Sequence, residues 1–436
     1  MARYGTNRAA KRESGYLTSM PIFRILATLL IAIVASSISS LCSNIALVHA
    51  KIYTSPSDPP IEDGTILVHN GRIRGVGPST KITVPRFARM VTVLDCHGLV
   101  VTAGFWNSHV HILTAGLLHA DRRRSDEISL QMEKMLTRWG FTTVFDTASV
   151  LDNTNNIRRR IERGEVRGPR ILTVGEPFYP NGGTPIYVKG FLEENHIPSA
   201  EVKSTPQALE RVDQQIRGGV DGIKIFTGAI TAAGVLSMPT DLAKAIVSEA
   251  HRAGKPVFAH PSNTEGIEVA IQSGVDILAH TAPMSGDWTP AFADRLKAAH
   301  MALIPTLTLF DVEAKKAQVS AQENEMWIKQ AVQELKAYSD AGGQILFGTD
   351  VGYIEQFDTA EEFTLMSRAG MNFQQILASL TVNPAARFGY SSHSGRIAKG
   401  MAADLVVLDG DPAGDVIAFS KVRQVIRGGR VIYPVQ

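Results

Sequence analysis

Between residues 100 and 348, short apolar runs alternate with longer amphipathic stretches. The runs fall at 100–106, 141–146, 170–175, 222–226, 256–259, 275–279, 302–308 and 344–348. Most are continuous in Val, Ile, Leu, Phe and Ala rather than alternating, the pattern of strands buried on both faces of a parallel sheet. Helical stretches lie between them, for example 240–253 and 321–341. Eight runs with this alternation predict an α/β fold, a closed (β/α)8 TIM barrel rather than an open doubly wound sheet. No Gly-x-Gly-x-x-Gly follows the first run, so a dinucleotide site has no support. The longest irregular insert, 176–202, follows the third run. A loop of that length in a compact domain is often functional, and here it leaves the expected catalytic mouth.

The two ends read differently. Gly64-Thr65-Ile66-Leu67-Val68-His69 leads through Asn70-Gly71, a favoured hairpin dipeptide, into Arg72-Ile73-Arg74-Gly75-Val76. Leu405-Val406-Val407-Leu408 and the strands around Gly428-Gly429 repeat that style near the other end. Neither end is long enough for a domain of its own. The expectation is one small β-sandwich built from 51–103 and 385–436, flanking a barrel over 104–384.

Before residue 51 the pattern is that of a leader. Arg3, Arg8, Lys11, Arg12 and Arg24 precede an apolar run at 25–35, and no charged residue occurs from 25 to 50. A positive start, an apolar core and the small-residue ending Val48-His49-Ala50 predict a secretory signal over 1–50, cleaved before Lys51. An uncleaved anchor over 25–48 is the alternative, since that length just spans a bilayer; the serines at 36, 37, 39, 40 and 43 favour cleavage. Met20 is an alternative start, because the segment before it is long for a leader. The expected location is secreted or periplasmic, with membrane contact only if the segment stays attached. Of two cysteines, Cys42 would leave with the leader, so Cys96 alone remains and no internal disulfide forms. Leu41 before Cys42 fits a lipidation site poorly. A net charge of +2 gives no support to a nucleic-acid partner. A small-molecule substrate fits, and a homo-oligomer stays open.

Candidate chemistry gathers at the ends of the runs. His109 and His111 are two apart, so on a strand both face one side, toward a barrel interior. Lys224 sits inside Gly222-Ile223-Lys224-Ile225-Phe226, where burial would lower its pKa. His260 and His280 close successive runs, and Asp350 follows Gly348-Thr349 after the last. His251 and His300 read as helix-end residues, His119, His196 and His393 have no strand context, and Asp146 reads as structural.

This order of His-x-His, Lys, His, His and Asp resembles the amidohydrolase superfamily of metal-dependent hydrolases, closest to its imidazolonepropionase-related and prolidase-like group. Thr102-Ala103-Gly104-Phe105 resembles the superfamily's turn before His-x-His, with Ala103 in place of its usual proline. Asn383-Pro384-Ala385-Ala386-Arg387 and Ala403-Asp404-Leu405-Val406-Val407-Leu408 extend the likeness to the far end. The resemblance implies a binuclear site with His109, His111, Lys224, His260, His280 and Asp350 as ligands, Lys224 carrying carbon dioxide as a metal-bridging carbamate. It also implies Asp350 as the catalytic proton carrier, two divalent metal ions, zinc by default, and no organic cofactor. The expected reaction is hydrolysis of an amide, cyclic amide or dipeptide-like C–N bond by a metal-bridged hydroxide. Ester, lactone or phosphotriester hydrolysis is the alternative on the same site; an inactive exported binding protein would predict broken ligands, and none is broken.

Overall fold

The computed structural model describes residues 44–84 and 91–434. Five strands come first: β1 (Asn44–Ile52), β2 (Ile61–His69), β3 (Arg72–Pro78), β4 (Val91–Asp95) and β5 (Val100–Ala103). Asn70 and Gly71 join β2 to β3 with φ of 52° and 72°, the left-handed pair that this tight turn requires. β1 is the spine of this region. One edge pairs antiparallel with β2; the other is shared, residues 44–48 pairing parallel with β4 and residues 51–52 parallel with β5. Ile45, Ala46, Leu47, Ala50 and Ile52 are all buried.

That placement corrects the expected boundary at residue 51. Val48, His49 and Ala50 lie inside β1, so cleavage before Lys51 would remove most of a central strand. The physical reason for the misreading is that Ile45-Ala46-Leu47-Val48 is apolar in either role, and hydropathy does not separate the tail of a leader from a buried strand. The charged start, the apolar run at 25–35 and Cys42 lie outside the described residues.

A second correction falls at Gly104. The run at 100–106 was expected to be one barrel strand, but it is two strands of different sheets. β5 stays with the end sheet, and β6 (Phe105–Val110) starts the parallel region. A Cβ at Gly104 would stand 2.2 Å from Thr142 Oγ1, so the crossing needs a residue without a side chain.

The parallel region continues with β7 (Phe141–Asp146) and β8 (Arg170–Thr173), the short β9 (Tyr179–Pro180) and β10 (Glu201–Val202), and β11 (Ile223–Phe226). A hairpin of β12 (Gly228–Thr231) and β13 (Gly234–Ser237) precedes β14 (Val257–His260), β15 (Ile277–Ala279), β16 (Ala302–Ile304) and β17 (Gln344–Ile345). β6-β7-β8 form one parallel sheet and β11-β14-β15-β16-β17 another. Backbone hydrogen bonds cross both gaps between them. Asp221 N donates to Thr173 O (2.7 Å) on one side, and Ser108 N to Phe347 O (2.7 Å) on the other.

Within these strands alternate residues divide between two apolar layers. Phe105, Val144, Val257, Leu278 and Leu303 pack with the helices. Trp106, Phe145, Phe258, Ile277, Ile304 and Leu346 form a separate cluster with Leu172 and Val174. Ile223 and Ile225 belong to the helix-facing layer, so Lys224 between them faces the other way. By the same parity, His260 shares the face of Phe258.

The chain closes with β18 (Leu405–Leu408), β19 (Val422–Arg427) and β20 (Arg430–Tyr433). β18 pairs antiparallel with β5, which gives one sheet ordered β20-β19-β18-β5-β1-β2-β3, with β4 also on β1. The two chain ends therefore combine into an eight-stranded sheet that forks at β1.

Candidate metal centre

His109 lies on β6 and His111 just beyond it; Lys224 is on β11, His260 ends β14, His280 follows β15 and Asp350 follows β17. His111 Nε2 is 2.8 Å from Asp350 Oδ1, and His109 Nε2 is 3.2 Å from the same oxygen. The potential ligand atoms of these three residues lie within 4.8 Å of one another. The His280 ring is 4.5 Å from that of His109 and 4.8 Å from that of His260, centroid to centroid. His260 stacks on Phe226 at 4.4 Å, and Lys224 Nζ lies 5.9 Å from the Phe226 centroid. The four histidines and Asp350 thus meet in one cluster, and the Lys224 charge acts on His109, His260 and His280 within it. Lys224 is 1% exposed, and among the described residues it makes no salt bridge to Asp350.

The electrostatics follow from burial. Lys224 is held down to about 7 by burial, with the Asp350 charge opposing. His109 is pushed down to about 3 by burial and then by the Lys224 charge. Burial also holds His260 and His280 well below the usual imidazole range. His111 is the exception: burial works against its charge, but the hydrogen bond and charge of Asp350 carry it above the ordinary value. Asp350 is the mirror case. Burial would raise it, yet His109 and His111 hold its carboxyl well below the usual range. His111 Nδ1 lies 2.9 Å from Ala148 O, which can only accept, so Nδ1 is a donor.

Asp146 is the buried hub of a different network. It accepts hydrogen bonds from Ile112 N (3.1 Å), Thr173 Oγ1 (2.8 Å), Thr154 Oγ1 (3.2 Å) and Ser149 Oγ. These bonds fix the turn that carries Ala148 and steady the residue after His111. His251 pairs with Asp276 at 2.7 Å, away from the cluster.

The insert at 176–202 holds β9, β10 and a helix, Ile186–Glu194. Its Tyr187 hydroxyl lies 3.4 Å from His260 Nε2, and its ring meets Tyr353 edge-on at 5.4 Å. Sequence reasoning marked the insert but not Tyr187 or Tyr353; a lone tyrosine in a loop carries no spacing signal.

Whether these residues fit a metal can be tested on His109. Among the described residues its Nδ1 has no hydrogen-bond partner and its Nε2 meets only the Asp350 oxygen at 3.2 Å, a costly state for a buried ring unless something else binds it. Four imidazoles, a carboxylate and a buried amine make a nitrogen–oxygen donor set suited to zinc and similar divalent ions. The residues fit.

The amidohydrolase family matches residues 100–432. The chain belongs to this family. It is similar to an imidazolonepropionase of Thermoplasma acidophilum, 21% identical over 407 residues, which cover 85% of this chain and 90% of that protein. An ochratoxinase of Aspergillus niger is 22% identical over 443 residues, covering 89% of this chain and 87% of that protein. The crystal structure of a Xaa-Pro dipeptidase with bound methionine in the active site superposes with a TM-score of 0.76 at 22% identity, covering 89% of this chain and 99% of the other. That likeness implies a TIM-barrel-like fold. The chain is a hydrolase of carbon–nitrogen bonds, and within the family it is similar to imidazolonepropionases.

Proposed function

We propose that this chain is an exported, metal-dependent hydrolase of a small-molecule amide, cyclic amide or dipeptide-like bond. The observation that carries the metal reading is the buried His109 ring, its Nδ1 without a partner among the described residues and its Nε2 beside a carboxylate oxygen that His111 also meets. His109, His111 and Asp350 would hold one divalent cation, His260 and His280 a second, and Lys224 both. For that last role the neutral Lys224 amine adds to carbon dioxide and releases one proton, giving a carbamate with two oxygens to share. Zinc is the cation this donor set favours.

When bound, such cations lower the pKa of a water and polarise a carbonyl. Asp350 takes the proton from the attacking water and passes it to the leaving amine. Phe226 holds the His260 ring by stacking, and Tyr187 with Tyr353 covers the cluster against bulk water. The names imidazolonepropionase and Xaa-Pro dipeptidase support the ring-amide and dipeptide classes. In the same reading the eight parallel strands close as a (β/α)8 barrel, with the forked sheet as a small sandwich beside it. The positive start and apolar run support a leader removed upstream of Asn44, which keeps β1 with the fold.

The test is a hydrolysis screen of the zinc- or manganese-loaded protein against dipeptides, N-acyl amino acids, hydantoins and lactones. Turnover of amides is the expected result. Turnover of lactones alone would replace this reading with the ester one, and no turnover of any class would remove it.

A further inference from the structure

We propose that Thr306, in a turn that one buried glutamate fixes opposite a His280 turn fixed by another, is the positioning residue that decides which nitrogen of His280 faces the cluster; the inference rests on the metal reading above. His280 has φ 76° and Thr306 has φ 47°, both in the left-handed region. That region is unfavourable for a β-branched residue, and such strain persists only where surroundings over-determine it. The surroundings are on the page. Thr306 Oγ1 donates to Pro305 O at 2.8 Å, which spends its one proton. Its contact with His280 Nδ1 at 2.6 Å must then run the other way, with Nδ1–H donating. The lone pair of His280 is left on Nε2, the ring nitrogen available to the cluster.

Two carboxylates hold this arrangement from behind. Glu362, on the helix Ala360–Arg368, accepts from Leu307 N (2.8 Å), Thr308 N (2.8 Å) and Thr308 Oγ1 (2.9 Å), the two residues after Thr306. Glu334, on the helix Ala321–Asp340, accepts from Ala282 N (2.6 Å) and Ser285 Oγ (3.4 Å), just after His280. Both are buried, and neither forms a salt bridge among the described residues. Burial raises Glu334 to about 8 and Glu362 to about 7. A fold that needed only a helix cap would meet it more cheaply with an uncharged side chain. Thr281 supplies the internal contrast. Its hydroxyl, next to His280, is buried with no hydrogen-bond partner among the described residues.

The test reads metal affinity and tautomer, so it needs no substrate. Zinc affinity of the stripped full chain is measured by competition with a chromophoric chelator. Thr306→Val should weaken binding about 10–100-fold, the usual cost of losing such a supporting hydrogen bond. Thr306→Ser, which keeps the hydroxyl, should stay close to the parent, as should Thr281→Val. In the metal-free parent, ¹⁵N-histidine spectra above pH 8 should show His280, assigned by its loss in His280→Asn, as the Nδ1–H form. Thr306→Ser should keep that form and Thr306→Val should mix it. Equal zinc affinity of parent and Thr306→Val would overturn the proposal. So would an equal loss in Thr281→Val, or an Nε2–H parent. If Thr306→Val does not fold, the parent and serine tautomers still decide. A parent with the Nδ1–H form that binds no divalent metal would overturn the metal reading alone and leave the positioning intact.

Discussion

Lys224 and Asp350 have separable roles at the level of single side chains. Lys224→Ala removes the proposed bridge, so elemental analysis should show metal content falling below two per chain, and acetate should restore part of the activity by filling the same space. Asp350→Asn keeps an oxygen able to coordinate but loses the basic carboxylate. Its metal content should fall less, while kcat drops on the order of 10²-fold, as for other general acid–base groups. Near-normal kcat in Asp350→Asn, together with full metal in Lys224→Ala, would end this assignment. The buried glutamates make a prediction about pH. Their folded values, about 8 for Glu334 and about 7 for Glu362, stand above the ordinary 4.5. The native state therefore holds more protons than the unfolded chain between those values, and these two groups make it less stable as pH rises through that window. Glu362→Gln removes one titration. Thermal unfolding of the metal-free variant should show a flatter decline from about pH 5 to about pH 8 than the parent; an unchanged slope would show that Glu362 does not titrate as burial implies.

At the scale of elements, β1 is the decisive strand. A chain beginning at Lys51 loses Ile45, Ala46, Leu47 and Ala50 from the core and the pairing of residues 44–48 with β4. Burying one Ile or Leu contributes about 1.5–3 kcal/mol, so these two alone account for roughly 3–6 kcal/mol of a total stability that is usually about 5–15 kcal/mol. Expression from residue 51 should give insoluble or unfolded material, and expression from residue 44 a cooperative unfolding transition by circular dichroism. The segment just after β17 is equally tight. A Cβ on Gly348 would stand 2.3 Å from Ile304 Cγ2 and 2.9 Å from His109 Cβ. Gly348→Ala should cost about 1–3 kcal/mol in urea unfolding, as overpacking does, and should lower metal content by pushing His109 out of place. The strand pattern was legible for a plain reason: parallel strands buried on both faces are apolar throughout, and seven of the eight runs reappear near their expected positions. The run at 100–106 misled because two buried strands meet head to tail there, and only Gly104 marks the break.

For the whole molecule, metal and fold should be linked. A cation that binds only the folded cluster stabilises it by mass action, so chelation should lower the melting temperature and zinc should restore it; a melting curve indifferent to both would count against a resident metal. The sequence by itself determined the family, the alternating strand–helix order and the six candidate ligands. Those are carried by local patterns: an apolar run fixes a strand, and a polar residue at its end stands out against it. Tertiary structure alone decided the rest. It placed Asn44 to Ala50 inside the fold, because pairing with β2 and β4 distinguishes a strand from the end of a leader and hydropathy does not. It brought Tyr187 from the insert to His260 and set Thr306 behind His280. It also put Glu334 and Glu362 beneath the turns that follow β15 and β16. These contacts join residues tens of positions apart, some through side chains and some through backbone atoms, and such distant pairings leave no trace in local residue type or spacing.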